Sequence, residues 1–109
     1  QPRSRGLGDV YKGQPRLYML SEKHRLPYES VQINSSRGRW GSCSSRKKIN
    51  LSYFLVLLPK HLIDYVLLHE LCHTCEMNHG DRFWDLLNGL TDGKALELRE
   101  ELKRYKTEI

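Results

Sequence analysis

Two histidines and a glutamate near the middle of the chain have the spacing of a hydrolytic metal site. His69, Glu70 and His73 form the pattern H-E-x-x-H. Because a helix advances about 100° per residue, His69 and His73 share one face and can bind the same ion. Glu70 lies one residue further round, where its carboxylate can act as general base towards a water beside the metal. The pattern predicts a catalytic metal site, with zinc as the expected ion and manganese, cobalt or nickel as alternatives.

For the third ligand the sequence offers two candidates. His79 follows His73 after enough chain to leave the helix and turn back. Glu76 would project on the face of His69 and His73 if the helix continued that far. We expect His79 to be the ligand, with Asn78 as turn residue and N-cap of the next helix. Glu76 stays open as the alternative.

The residues around the motif favour a buried site over two surface histidines on an amphipathic helix. The apolar run Tyr65–Leu68 leads directly into His69. The predicted helix, from about residue 60 to about residue 77, is therefore apolar nearly all round. Buried histidines and a buried glutamate need partners, which a metal supplies. Cys72 and Cys75 form C-x-x-C in the same helix, but no second pair accompanies them, and we interpret them as small core residues.

Several further motifs occur in order around this core. They are Arg39–Ser44 (R-W-G-S-C-S), Ile49–Leu51, Leu58–Pro59, Asp64–Val66, and Asn78–His79 with Phe83–Trp84. With H-E-L-C-H, they make roughly residues 30 to 90 resemble the YgjP-like metallopeptidase family. The resemblance implies an α+β fold of zincin type and a zinc-dependent hydrolase. It also implies that His69, His73 and His79 are the metal ligands and that Glu70 is the catalytic acid/base.

Three short strands precede the motif. Alternation over residues 28–34, followed by residues 39–43 and 47–51, predicts a small antiparallel meander packed against the motif helix. In zincins the strand nearest the active-site helix often forms one wall of the cleft, and an extended peptide can pair with such an edge. The substrate-cleft candidates are therefore Arg39, Trp40, Gly41 and Ser42. Gly41 would let a substrate backbone approach closely; the competing interpretation puts Trp40 in the core and Gly41 at a bulge.

Helices are predicted for most of the remaining chain. Residues 16–25 and 52–58 have short helical patterns, and Phe83 and Trp84 begin the apolar stripe of a helix whose packing would hold His79 at the metal. Residues 94–109 predict a charged helix with Leu98 and Leu102 inward and its charges in solvent.

The length of 109 residues allows one domain at most. Residues 1–14 lack periodicity and resemble translated adapter sequence, so we expect a non-native or disordered leader. Residues 15–109 would then form a zincin-like metallopeptidase domain, truncated at its N-terminus.

Composition and charge narrow the choice of partners. No apolar run is long enough to span a membrane, and three cysteines, two of them in one predicted helix, favour a reducing, cytoplasmic location. The net charge of +5 includes a basic group at Arg37, Arg39 and residues 46–48. That group is typical of a solvated hairpin, although phosphate contacts are open. Nucleic-acid binding receives little support because few aromatic residues lie between the basic ones.

Three functional hypotheses follow. The first is a zinc metallopeptidase acting on a peptide held in a cleft. The second is a metal-dependent hydrolase of a non-peptide substrate such as a nucleoside triphosphate. The third is a non-catalytic, zinc-stabilised domain, against which Glu70 argues because four protein ligands close a structural site. The sequence indicates no obligate protein partner.

Overall fold

The computed structural model describes residues 13–35 and 38–105. In chain order the elements are α1 (Gly13–His24), β1 (Ser30–Asn34), β2 (Gly41–Cys43), β3 (Lys48–Ser52), a 3₁₀ helix (Tyr53–Leu57), α2 (Lys60–Cys72), α3 (Asp81–Leu90) and α4 (Ala95–Leu102). The predicted α+β class is confirmed. Residues 1–12 of the predicted leader, Arg37 of the basic group and residues 106–109 of the predicted last helix lie outside the described residues.

The sheet has the order β1-β3-β2, and one of its two pairings differs from the prediction. β2 and β3 form the expected antiparallel hairpin, whose turn is closed by hydrogen bonds from the Ser44 amide to the Lys48 carbonyl and from the Lys47 amide to the Ser44 carbonyl. β1, however, pairs with β3 in parallel, so the predicted meander is wrong. Ile49 and Leu51 of β3 are almost fully buried, and the central position of the sheet buries them better than an edge would.

The motif helix α2 lies at the centre of the molecule. The side chains of Leu62, Leu67 and Leu71 have no or almost no exposed surface, as expected of a helix that is apolar on most faces. The three other helices pack on α2. Each contributes buried residues, among them Leu17 in α1, Phe83 in α3 and Ala95 in α4.

Polar contacts also link two of these helices to α2. The guanidinium of Arg16 in α1 donates two hydrogen bonds, of 2.9 and 2.8 Å, to the carboxylate of Asp64. The His61 ring lies 2.8 Å from Glu101 in α4. The Arg16–Asp64 pair is partly buried and helps to hold α1 on α2. The His61–Glu101 contact is exposed and adds little to the packing of α4.

Candidate metal centre and cleft

α2 carries His69 and Glu70 in its last turn and ends at Cys72, five residues earlier than predicted. Local hydrogen bonds end it: the Thr74 hydroxyl donates to the Leu71 carbonyl at 2.6 Å, and the Cys75 and Glu76 amides donate to the Cys72 carbonyl. His73 caps the helix and keeps a helical backbone conformation. It therefore remains on the face of His69.

The ring of His73 has one nitrogen fixed by the chain. Its Nδ1 lies 3.0 Å from the carbonyl oxygen of Glu76. Because a carbonyl oxygen only accepts, Nδ1 must carry the proton, and the neutral ring then has its lone pair on Nε2. A carbonyl behind a histidine in this way is the usual partner that orients a metal ligand.

His79 is brought to the other two histidines by the loop before α3. Its Nε2 lies 3.1 Å from Nε2 of His73, and one ring nitrogen from each of His69, His73 and His79 lies within 4.8 Å of the others. Burial and the neighbouring imidazoles of His73 and His69 lower the pKa of His79, which favours the neutral ring that binds a metal. The donor set thus fits a divalent ion such as zinc.

Glu76, the alternative third ligand, does not join this group. The helix has ended before it, so its position no longer follows the face of His69 and His73. Its backbone carbonyl contacts His73 instead. The predicted role of Asn78 as N-cap is wrong, because Gly80 occupies that position and makes no side-chain cap.

The ring of Phe83 in α3 contacts all three imidazole rings. It is fully buried, and its ring centroid lies 5.0 Å from that of His69, 4.5 Å from His73 and 4.9 Å from His79. The ring of Trp84 lies further away, 6.2 Å from His79. The packing role predicted for Phe83 is therefore present in the structure.

Glu70 is buried beside the histidines, with 5% of its surface exposed. Its Oε2 lies 3.3 Å from Nδ1 of His69. On the opposite side it meets Gly41 of β2, where an added Cβ would come within 3.3 Å of Glu70 Cγ and 3.1 Å of the Asn50 carbonyl oxygen. The lack of a side chain at Gly41 thus makes room for Glu70 itself. Gly41 pairs with Leu51 in continuous register, so the bulge interpretation is wrong.

Two cavities meet at Gly41, His69 and Glu70. The His79 cavity, of about 250 Å³, is also lined by Arg39, Ser42, Cys43, His73, Met77 and His79. The Arg99 cavity, of about 320 Å³, is also lined by Trp40, Tyr65, Val66, Arg99, Leu102, Lys103 and Tyr105. Each of the cleft candidates Arg39, Trp40, Gly41 and Ser42 lines at least one of them. Trp40 in addition packs against the core, as its core interpretation predicts, and its role in substrate binding stays a prediction.

The three cysteines differ in how far they are buried. Cys72 is fully buried and Cys75 is exposed, so the core interpretation holds only for Cys72. Burial raises the pKa of Cys72 to about 12. Burial and the nearby Glu70 raise the pKa of Cys43, in the His79 cavity, to about 11. Cys43 and Cys72 therefore remain thiols at neutral pH unless a metal displaces the proton.

The sequence does not predict that α4 borders the cleft. The charges of this helix are predicted to face solvent, and the side chains of Arg99 and Lys103 are exposed, but both also line the Arg99 cavity. Arg99, Leu102 and Lys103 are three and four residues apart and share a face. That spacing was the available signal, although nothing in it shows which surface the face meets.

A small mixed sheet beside a buried H-E-x-x-H helix, with a third histidine beside the other two, defines a zincin-type metallopeptidase fold. The chain belongs to the YgjP-like metallopeptidase family: the model of the YgjP-like, metallopeptidase domain matches residues 11–105. Among solved structures it is similar to the metallopeptidase zymogen of Pyrococcus abyssi abylysin, with a TM-score of 0.71 and 20% identity over 83% of this chain and 90% of the other. At that identity the likeness concerns the fold. A search of curated proteins gives no significant match.

No helix within residues 13–35 and 38–105 combines the length and apolarity needed to cross a bilayer. The predicted cytoplasmic location stays a prediction.

Proposed function

We propose that this chain is a zinc-dependent peptidase in which His69, His73 and His79 hold the ion and Glu70 is the general acid/base. The observation that carries the proposal is the convergence of three imidazole nitrogens within 4.8 Å beside a buried carboxylate, at the junction of two cavities. Bound there, zinc would supply a Lewis acid and lower the pKa of a water to about 7.

The residues of the chain have separate tasks in peptide hydrolysis. Glu70 accepts a proton from the attacking water as its oxygen bonds to the carbonyl carbon. Glu70 then delivers that proton to the leaving nitrogen as the C–N bond breaks. The backbone of β2 at Gly41 packs against Glu70 Cγ and limits the orientations of the side chain, so that the carboxylate keeps one direction during both transfers.

The substrate is expected to run along β2. This strand is at the end of the sheet order, and within the described residues no strand pairs with its second edge. An extended peptide can hydrogen-bond to such an edge and place side chains in the cavities on either side of Glu70. The proposed cleft residues are Arg39, Trp40, Gly41 and Ser42.

Glu70→Gln tests the general-base assignment. The amide keeps the shape of the side chain but cannot accept the proton, so peptide hydrolysis should fall by about 10²- to 10⁴-fold with zinc content unchanged. A panel of casein, short peptides and nucleoside triphosphates, assayed with the zinc-loaded wild type and the variant, measures both activity and substrate class. Wild-type turnover by a folded, zinc-loaded Glu70→Gln protein would refute the assignment, and turnover of triphosphates alone would refute the peptidase.

A further inference from the structure

We propose that the Arg99 cavity is a specificity subsite for a carboxylate of the peptide substrate, either an acidic side chain or the chain terminus. The inference rests on the proposed peptidase function and names the substrates that the site prefers. The cavity adjoins the reacting position because His69, Glu70 and Gly41 form part of its wall. A group bound in it therefore belongs to a residue close to the scissile bond on one side.

Two cations give the cavity its preference for an anion. Arg99 and Lys103 lie one helical turn apart on α4 and both line it. Glu100, which does not line the cavity, lies 3.4 Å from Arg99 and 3.2 Å from Lys103. These contacts are solvent-exposed and therefore weak. Arg99 has five N–H donors and Lys103 three, so both can bind a second carboxylate while keeping Glu100.

The cations stand on a helix that is fixed to α2. Ala95 is fully buried, Leu98 and Leu102 pack against the core, and Glu101 contacts His61 of α2 at 2.8 Å. Packing therefore sets the position of the α4 backbone at Arg99 and Lys103 relative to Glu70. The two side chains, 46% and 57% exposed, reach a bound anion from that backbone.

The remaining walls favour a peptide over a phosphate. Trp40, Tyr65, Val66 and Leu102 are aromatic or apolar and suit the carbon chain that carries a carboxylate. The neighbouring edge of β2 offers hydrogen bonds to a peptide backbone.

Paired peptides provide the test. The peptides form pairs that differ only by Glu or Gln at one position, or by a free or amidated C-terminus. Their affinities for the full-length, zinc-loaded Glu70→Gln protein are measured by calorimetry. The wild type is assayed for cleavage of the same peptides. We expect the acidic member of one pair to bind about 5- to 10-fold more tightly. Adding Arg99→Gln and Lys103→Gln should abolish that preference. Adding Lys94→Gln and Arg104→Gln, which remove the same charge from the same segment away from the cavity, should leave it intact.

The results separate the subsite from the peptidase. Equal affinities within every pair, absence of binding, or a preference that survives loss of Arg99 and Lys103 would overturn the subsite. So would a nucleoside triphosphate that binds more tightly than every acidic peptide and depends on the same two residues. Binding that follows the expected pattern without any cleavage would support the subsite and refute the peptidase. Cleavage of acidic and neutral peptides at equal rates would support the peptidase and refute the subsite.

Discussion

At the scale of single residues, the centre depends on which atom of each side chain faces the others. The Glu76 carbonyl fixes the proton of His73 on Nδ1, so Nε2 is the free ligand atom. That nitrogen lies 3.1 Å from Nε2 of His79, a distance at which a proton carried by His79 can form a hydrogen bond between the two atoms. A metal bound by both nitrogens would take the place of that proton.

Gly41→Ala should reduce catalysis without emptying the metal site. A Cβ at residue 41 would come within 3.3 Å of Glu70 Cγ, and a carboxylate displaced by about 1 Å can lose on the order of 10²-fold in rate. We expect kcat to fall by about ten- to a hundredfold, with zinc affinity changed little, as measured by kinetics and zinc titration. Gly89→Ala is the control, because a Cβ there meets nothing within 4 Å. Unchanged kcat in Gly41→Ala would contradict the packing role.

The metal-free protein should lose stability as pH falls from about 6.5, the ordinary pKa of histidine. The pKa of His79 is lowered in the folded chain, so between that value and 6.5 the unfolded chain binds more protons and is favoured. The pKa of His24 is also lowered, by burial and by Lys23, so His24 likewise lowers the stability of the folded chain as pH falls.

Comparing the wild type with His79→Gln isolates the contribution of His79 to the pH dependence of stability. Melting temperatures measured without metal from pH 8 to pH 5 should fall less steeply in the variant. Parallel curves for the two proteins would show that His79 has no lowered pKa.

At the scale of elements, the early end of α2 is the decisive feature. A helix continuing to residue 77 would place Glu76 by its helical angle and keep the chain moving away from the site. Ending at Cys72 instead lets the chain turn within a few residues and return His79 to His73. The turn also supplies the carbonyl that orients His73.

Asp64→Asn should destabilise the protein by separating α1 from α2. The carboxylate of Asp64 accepts two hydrogen bonds from the Arg16 guanidinium. The two side chains are 33% and 23% exposed, so the pair is more shielded from solvent than an ordinary surface pair. We expect a loss of about 1 kcal/mol in the free energy of unfolding, measured by urea denaturation. Glu100→Gln, in the exposed contacts with Arg99 and Lys103, should change it by less than about 0.5 kcal/mol. Equal effects of the two substitutions would argue against a special role for the Arg16–Asp64 pair.

At the scale of the whole molecule, a bound ion would join α2 to the segment that leads into α3. His69 and His73 come from the end of α2, and His79 precedes α3 by two residues. The histidines of both segments also contact the ring of Phe83, which belongs to the hydrophobic core. Metal binding at this site would therefore be coupled to folding.

Zinc should raise the melting temperature by an amount that grows with the logarithm of the free zinc concentration above Kd. At a free zinc concentration of 100 times Kd the gain is about 2.7 kcal/mol, which a thermal denaturation with and without chelator detects. His79→Ala should lose most of this gain, whereas His61→Ala, on the same helix but outside the cluster, should keep it. A gain of equal size in both variants would exclude His79 as a ligand.

The sequence by itself determined the local arrangement of the candidate centre. Helical spacing is a local property, so H-E-x-x-H fixed the shared face of His69 and His73 and the place of Glu70 without reference to the rest of the fold. The apolar residues of α2 likewise indicated burial, and alternation indicated the three strands.

Tertiary structure decided what depends on contacts between distant segments. Three contacts are of this kind: the parallel pairing of β1 with β3, the position of His79 rather than Glu76 beside His69 and His73, and the place of Arg99 and Lys103 in the cavity beside Glu70. A strand pattern shows which residues are buried but not which neighbour it pairs with, and a helix face shows its charges but not the surface it meets. Only the packed chain selects among these arrangements, because burial of the common core selects all of them together.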